Sequence, residues 1–221
     1  IKLTKPDYYM PFAGTYVLSG KLNSLQNLRG VPLIDEVYDY LDLKIDKLEI
    51  SKKVEGLKLN YDCTYDFDNK KFSKNYEKIN IDNYNEYQKS YLSKKQLDYE
   101  NDVFLQEEEI FDKASRAMVN YLKKKNELNM NINSDIYFRV NDKYIDIKKN
   151  ASKIKIINKN EINLNNNYVI YDIDKRLLSR LLSGPKYAHW QNAEIGSHLN
   201  FFRSPDIYER DLYFSTIYFH Q

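Results

Sequence analysis

Residues 103–125 read VFLQEEEIFDKASRAMVNYLKKK, and this stretch decides the fold class because it carries the clearest helical pattern of the chain. Its apolar residues recur at spacings of three and four, and they are Ile110, Phe111, Ala114, Ala117, Met118, Tyr121 and Leu122. Such spacing places them on one face of a helix that packs against a core. Acidic residues open the pattern and lysines close it, which complements the helix dipole. The stretch predicts a long amphipathic helix.

Strand patterns and turns follow this helix. Four short runs are rich in β-branched and aromatic residues, and they cover residues 136–140, 144–147, 154–157 and 168–171. The last part of the chain, residues 212–219, is interpreted as a further strand. Helices and strands in this order predict an α+β fold in which a mainly antiparallel sheet is packed with helices.

A second helix is predicted before the end of the chain. Asp174 is suited to cap its start, and Gly184 with Pro185 is suited to end it. The residues that would face the core are all leucines, namely Leu177, Leu178, Leu181 and Leu182. Their spacing again indicates one buried helical face.

Changes in composition divide the chain into three parts. Residues 1–68 have an α/β pattern, with a short strand near the start, a helix at 33–41 and a strand at 57–59. Residues 69–100 are polar and rich in tyrosine, and we interpret them as a connection with some helix. Residues 101–221 hold the α+β pattern described above. The sequence therefore predicts two domains joined by residues 69–100.

The composition is typical of a globular protein. Hydrophobic residues make up 42% of the 221 residues and charged residues 30%. The 34 basic and 32 acidic residues give a net charge of +2, which is not the charge pattern of a nucleic-acid or membrane-surface binder. A single cysteine, Cys63, excludes an intrachain disulfide, and no apolar run has the length of a membrane span. We expect a cytoplasmic protein without nucleic-acid or membrane partners.

Two runs depart from this background of Lys, Asn, Ile and Tyr. The first is residues 10–16, MPFAGTY, in which Phe12 and Gly14 are candidate binding residues. Backbone N–H groups of such a turn can approach an anion, although the run matches neither common phosphate-loop pattern. The alternative is a tight turn between a strand and a helix. The second run is residues 182–198, which hold the only tryptophan and two of the three histidines.

The second run permits several interpretations. His189, Glu194 and His198 resemble a metal-ligand set, but their spacing fits no common zinc pattern. His189 and Glu194 could instead act as an acid–base pair. A third interpretation is structural, in which His189, Asn192 and Glu194 form one hydrogen-bonded network and Trp190 is buried beside the helix end. No metal ligand is assigned by this reasoning.

Arg203 lies in a charged stretch with Asp206, Glu209 and Arg210. An arginine can hold a carboxylate or phosphate through two parallel hydrogen bonds. The alternative is a set of internal salt bridges among these four residues. The chain shows no nucleophile motif, and Cys63 has no neighbouring histidine in sequence, so no catalytic residue is assigned.

The two unusual runs together resemble a known family. The run 9–21, YMPFAGTYVLSGK, with LRGVP at 28–32, resembles the late part of metallo-β-lactamase-fold proteins of the lactonase-like branch, which includes proteins similar to CMP-N-acetylneuraminate hydroxylase. The run 184–196 and the residues from Arg203 to His220 resemble the end of long members of that branch. The resemblance covers both ends of the chain and little of the middle. It implies the end of an αββα sheet in residues 1–68 and a sterol-carrier-like domain in residues 101–221.

The resemblance also implies that the metal site and this chain belong to different parts of a larger protein. The family's His-x-His-x-Asp-His metal cluster has no counterpart in this chain, so the chain itself is expected to hold no cofactor, and zinc or iron would belong to a parent protein. The chain would complete the fold, cover the active site or mediate association in an enzyme of sugar metabolism that acts on an acidic or nucleotide-linked sugar. Its partners would be the rest of the hydrolase domain, a partner subunit or another copy of itself. Alternatives are a module that binds an apolar or amphipathic ligand, and a small enzyme that uses His189 and Glu194.

Overall fold

The computed structural model describes residues 1, 3–12, 16–28, 30–45, 47 and 54–221. The chain divides into two compact units, Ile1–Lys95 and Gln96–Gln221. Helices and strands occur in both, so the protein is of mixed α+β class, as expected. Each unit is described by itself below.

The first unit contains short elements only. In chain order these are β1 (Tyr8–Tyr9), a 3₁₀ helix (Gly20–Leu28), α1 (Ile34–Ile45), β2 (Glu55–Gly56), β3 (Tyr65–Asp66), β4 (Lys71–Phe72), α2 (Ile81–Ser90) and a 3₁₀ turn (Leu92–Lys94). The strands pair two by two, β1 with β2 in parallel and β3 with β4 antiparallel. In the described part of this unit, no sheet is larger than two strands.

The helix expected at residues 33–41 is confirmed as α1 and continues to Ile45. The Glu36 side chain accepts a hydrogen bond from the backbone N–H of Leu33 at 2.7 Å, which satisfies a donor just before the helix starts. Tyr38 faces inward and is 3% exposed. Its hydroxyl donates to the carbonyl of Leu57, so α1 is fixed to the chain that follows β2.

The strand expected at residues 57–59 is wrong by two positions. The ladder with β1 covers Glu55 and Gly56, and it closes where the N–H of Leu57 donates to the carbonyl of Tyr9 at 2.9 Å. The carbonyl of Leu57 accepts from Tyr38 rather than from a strand partner, so the ladder does not continue beyond this residue. The side chain of Leu57 is nevertheless buried, which explains why the alternating pattern looked like a strand.

The segment expected to be a connection, residues 69–100, is largely structured. It holds β4 and α2, and Asn80 caps α2 by accepting from the N–H of Asn83 at 3.0 Å. The division between the two units falls inside this segment, after Lys95. Residues 69–95 therefore belong to the first unit.

The second unit contains the large sheet and most of the core. In chain order its elements are a 3₁₀ helix (Asp98–Asn101), α3 (Glu107–Glu127), β5 (Asp135–Val140), β6 (Lys143–Ile147), β7 (Lys155–Asn158), a 3₁₀ turn (Lys159–Glu161), β8 (Tyr168–Asp172), α4 (Lys175–Ser183), α5 (Trp190–Ile195), β9 (Asn200–Ser204) and α6 (Arg210–Thr216). The expected α3, α4 and four strands are confirmed with small shifts of their ends. Neither α5 nor β9 is predicted by the sequence patterns described above.

The sheet is mixed, with the strand order β7-β6-β5-β8-β9. Only β5 and β8 pair in parallel, while the other three pairs are antiparallel, so the expectation of a mainly antiparallel sheet is confirmed. Phe138 of β5 sits opposite Ile145 on one side and Tyr171 on the other. All three side chains are almost fully buried and face the helices.

The amphipathic stripe of α3 is confirmed. Its most buried residues are Ile110, Ala114, Ala117, Met118 and Tyr121, while Phe111 and Leu122 pack against the rim of the same core. The small alanines permit close approach of neighbouring helices, and α3 contacts both α4 and α6. The helices therefore cover one face of the sheet.

The strand expected at residues 212–219 is wrong, because Arg210–Thr216 form helix α6. Tyr, Phe, Thr and Ile in this run have high β propensity, which tertiary packing overrides here. Ser215 and Thr216 are buried, and their hydroxyls donate to the carbonyls of Leu212 and Tyr213 at 2.6 and 2.8 Å. These bonds within one helical turn satisfy polar groups that α6 buries.

Candidate functional site

Trp190, the first residue of α5, is a core residue. It is 3% exposed, and its indole N–H donates to the carbonyl of Phe219 at 3.1 Å. Its ring lies 5.4 Å from that of Phe138 and 6.3 Å from that of Tyr171. The expected burial of Trp190 is confirmed, and the indole joins α5 to the end of the chain and the sheet.

The expected network of His189, Asn192 and Glu194 does not form. Across the described residues, no hydrogen bond joins any two of these side chains, and Nδ1 of His189 is buried without a partner. Asn192 is exposed, and Glu194 is half-buried with its pKa raised by that burial. The physical reason for the separation of His189 and Glu194 is their spacing, because His189 directly precedes α5 and Glu194 lies five residues after His189, whereas residues three or four apart share one helix face. The acid–base pair of His189 and Glu194 is likewise not brought together.

His198 and Arg203 are both engaged inside the second unit. Nδ1 of His198 lies 3.3 Å from the hydroxyl of Tyr99, and the two rings meet edge to face. Arg203 donates to Asp206 at 2.6 Å and to the hydroxyl of Tyr213 at 3.0 Å. Internal pairing, one of the two interpretations of the charged stretch, is thus what the structure contains for Arg203.

The first unusual run, residues 10–16, contains two candidate binding residues. Phe12 is 82% exposed, and Gly14 lies outside the described residues.

In the described part of the chain, no three His, Cys, Asp or Glu side chains are placed to hold one metal ion. None of the described helices is long and apolar enough to cross a bilayer.

The second unit contains a cavity of about 670 Å³ that sequence reasoning missed. It lies between the segment before α3 and the polar sides of α3 and α4. The charged and hydroxyl side chains on its wall are Asp102, Lys113, Arg176, Ser179, Arg180, Ser183, Lys186 and Tyr187. Four of these side chains are cationic and one is a carboxylate.

The repeat of α4 explains how the wall is built. The helix reads KRLLSRLLS, and its four leucines are buried in the core. Four polar residues of α4 follow each other at spacings of three, one and three, which places them on the face opposite the leucines. They are Arg176, Ser179, Arg180 and Ser183. Asp174 caps the helix by accepting from the N–H of Arg176 at 3.0 Å, and Gly184 ends it at φ 105°. This polar stripe is the sequence signal that indicates the site, and it alternates with the leucines that predict the buried face.

Both arginines of the wall already have acidic partners. Arg180 donates through Nε and Nη2 to the two oxygens of Asp102 at 2.5 and 2.7 Å, and these bonds lower the pKa of Asp102. Arg176 donates to Asp174 at 2.8 Å and to the carbonyl of Glu100 at 2.8 Å. These contacts hold the chain segment before α3 against α4.

Lys113 differs from the arginines. Its ammonium donates to Oγ of Ser179 at 3.0 Å and to Oγ of Ser183 at 2.7 Å. No carboxylate of the described residues lies within ion-pair distance of it. Burial, followed by the charge of Arg116, lowers the pKa of Lys113. The charge of Glu109, one turn earlier on α3, acts in the opposite direction. A partly buried cation whose hydrogen bonds go to hydroxyl groups is a favourable place for an anion.

A second charged cluster lies on the sheet. The ammonium of Lys148 is 3.2 Å from Asp135 and 3.3 Å from Asp146, and it also contacts the hydroxyl of Tyr137. Both aspartates are almost fully buried, and burial raises the pKa of Asp146. The carboxylates come from neighbouring strands β5 and β6 and the ammonium from the residue after β6, so this cluster ties the sheet together.

No protein-family model, curated protein or solved structure matches this chain. The resemblance to metallo-β-lactamase-fold proteins and to sterol-carrier-like domains therefore stays a prediction. The same holds for the zinc or iron of a parent protein and for the partners that the resemblance implies.

Proposed function

We propose that the second unit is a binding module for an anionic small molecule, which it takes up in the cavity between α3 and α4. The observation that carries this proposal is the environment of Lys113, a partly buried ammonium with two hydroxyl partners and, among the described residues, no carboxylate within ion-pair distance. A cation withdrawn from water has lost hydration, and an anionic ligand would replace it.

The remaining wall strengthens this preference. Arg176 and Arg180 are compensated by Asp174 and Asp102, so Lys113 and Lys186 are the cations of this wall that have no carboxylate partner among the described residues. Clefts lined by charge of one sign concentrate the field and attract ligands of the opposite sign. The volume of about 670 Å³ falls within the range of roughly 300–1,000 Å³ that is usual for small-molecule sites.

The other candidate functions lack such support. A site for an apolar ligand requires space among the aromatic residues, but Phe138, Trp190 and Phe219 are packed against each other and at most 3% exposed. An enzyme based on His189 and Glu194 would require the two side chains to meet. An anionic ligand also agrees with the acidic or nucleotide-linked sugar that the family resemblance implies.

The proposal is tested by titrating the full chain with glucose 6-phosphate, glucuronate and glucose at constant ionic strength, using calorimetry. We expect at least one of the charged sugars to bind and neutral glucose not to bind. The Lys113→Gln variant should lose this binding. Lys123→Gln is the matched control, because Lys123 belongs to the same helix and its side chain is 66% exposed. Absence of binding by both charged sugars, or equal loss in both variants, would contradict the proposal.

A further inference from the structure

The cavity contains more unused hydrogen-bond donors than a carboxylate needs. An ammonium has three donors, and Lys113 uses two of them on Ser179 and Ser183. Its third N–H remains for a ligand. Lys113 of α3 therefore offers a ligand both a positive charge and an unused N–H donor, beside the two serines of the α4 stripe.

The two serines of α4 have different roles. The hydroxyl of Ser183 donates to the carbonyl of Ser179 at 2.8 Å, so its proton is already used. The hydroxyl of Ser179 accepts from Lys113, and its own proton has no acceptor among the described hydrogen bonds. Ser179 is thus a second unused donor, 3.0 Å from the ammonium.

Two further cations complete the set. Arg180 uses Nε and Nη2 on Asp102, while Nη1 has no acceptor among the described hydrogen bonds. Lys186 is exposed at the rim, where its ammonium lies 5.9 Å from the centre of the Tyr187 ring. Donors from α3, from α4 and from the residues after α4 therefore share one wall.

Resting on the proposed function, we infer that the anionic group bound in this cavity is a phosphate dianion, either free or as the monoester of a small molecule. A carboxylate carries one charge on two oxygens. A phosphate monoester carries about −1.5 to −2 at neutral pH on three terminal oxygens, each a strong acceptor. Four donors fit the phosphate group better in number, and two of them, on Lys113 and Lys186, belong to cations without a carboxylate partner among the described residues.

The experiment compares matched probes on the full chain at constant ionic strength. Glucose 6-phosphate is paired with glucuronate, and inorganic phosphate is paired with acetate. At about pH 8, where the phosphates are dianions, we expect each to bind about tenfold more tightly than its carboxylate partner, since one added hydrogen bond to a charged group has that effect. On lowering to about pH 5, the advantage of glucose 6-phosphate over glucuronate should shrink, because the second proton of a phosphate monoester binds near pH 6.

Variants separate the roles of the donors. Ser179→Ala should weaken phosphate binding and leave carboxylate binding nearly unchanged, while Lys113→Gln should weaken both. Thermal unfolding checks that both variants fold. Tighter binding of glucose 6-phosphate than of inorganic phosphate would indicate an ester, and equal binding would indicate the free ion; both outcomes support the phosphate inference. Glucuronate binding as tightly as glucose 6-phosphate, with loss in Lys113→Gln, would overturn this inference and leave the proposed function standing.

Discussion

The ammonium of Lys113 on α3 lies 2.7 Å from the hydroxyl oxygen of Ser183 on α4. This bond joins two helices whose apolar faces share one core. The polar faces of the same helices meet at the cavity. Packing of the leucines of α4 against α3 therefore fixes the distance between the cation and the hydroxyl groups that hold it.

The core around Trp190 gives the first prediction. Replacing Trp190 by alanine should lower the free energy of unfolding by about 3–5 kcal/mol, because a large buried ring is lost. Trp190→Phe should cost roughly 1–3 kcal/mol, since it leaves the buried carbonyl of Phe219 without its donor. Chemical denaturation followed by circular dichroism measures both, as Trp190 is the only tryptophan and cannot serve as the probe. Equal stability of all three proteins would show that the indole is not part of the core.

The fold was predictable to the extent that it depends on periodicity along one element. The stripes of α3 and α4 identify their buried faces directly. The helix α6 is not predictable from its own residues, because these residues favour strands. Its conformation is stabilised by the burial of Leu212 and Tyr213. That outcome depends on contact with α3, which no local pattern contains.

The candidate site was less predictable than the fold. The stripe of Arg176, Ser179, Arg180 and Ser183 is visible in the sequence, but exposed polar residues occur on most surface helices. The stripe forms a candidate binding site only together with Lys113. This residue lies more than sixty residues earlier and contacts the serines only in the folded protein. The conspicuous run 182–198 instead serves packing in the part that the structure shows, through Trp190.

The pair of Asp102 and Arg180 gives the second prediction. Because Arg180 lowers the pKa of Asp102 in the folded state, the pair stabilises the fold above the unfolded pKa of about 3.9. That contribution is lost as the pH falls through the lower, folded pKa. Asp102→Asn should therefore lower the melting temperature slightly at neutral pH and not at strongly acid pH. Both side chains are about one third exposed, so the effect should be below about 1 kcal/mol.

Thermal unfolding across the acid range compares Asp102→Asn with Asp68→Asn, a carboxylate of the exposed β3–β4 turn. If the difference in melting temperature between Asp102→Asn and the unmodified protein is the same at all pH values, the ion pair does not contribute to stability.

Glu194 gives the third prediction, and its sign is opposite. Burial raises the pKa of Glu194 above its unfolded value, so ionisation of this group opposes folding. Stability should therefore decrease as the pH rises from below the unfolded pKa through the raised, folded one. Glu194→Gln should raise the melting temperature at neutral pH and have little effect below about pH 4. A lower melting temperature of the variant at neutral pH would reveal a donor that the structure does not contain.

The fourth prediction concerns Lys148, which lies between the buried carboxylates of Asp135 and Asp146. Lys148→Met removes the cation and leaves two buried carboxylates without it, so the pKa of Asp146, which burial already raises, should rise further. The loss of unfolding free energy at neutral pH should lie between the roughly 1 kcal/mol of an exposed pair and the 3–5 kcal/mol of a buried one, because the lysine side chain is 36% exposed. Acidification should restore part of this stability, since protonation of Asp146 removes one of the charges that the ammonium compensates. Lys149→Met is the matched control, as its backbone N–H still donates to Asp135 while its side chain is exposed. Denaturant unfolding at neutral and acid pH measures both variants. A loss for Lys148→Met that is the same at both pH values would show that lost packing of the lysine stem, rather than lost charge, explains the effect.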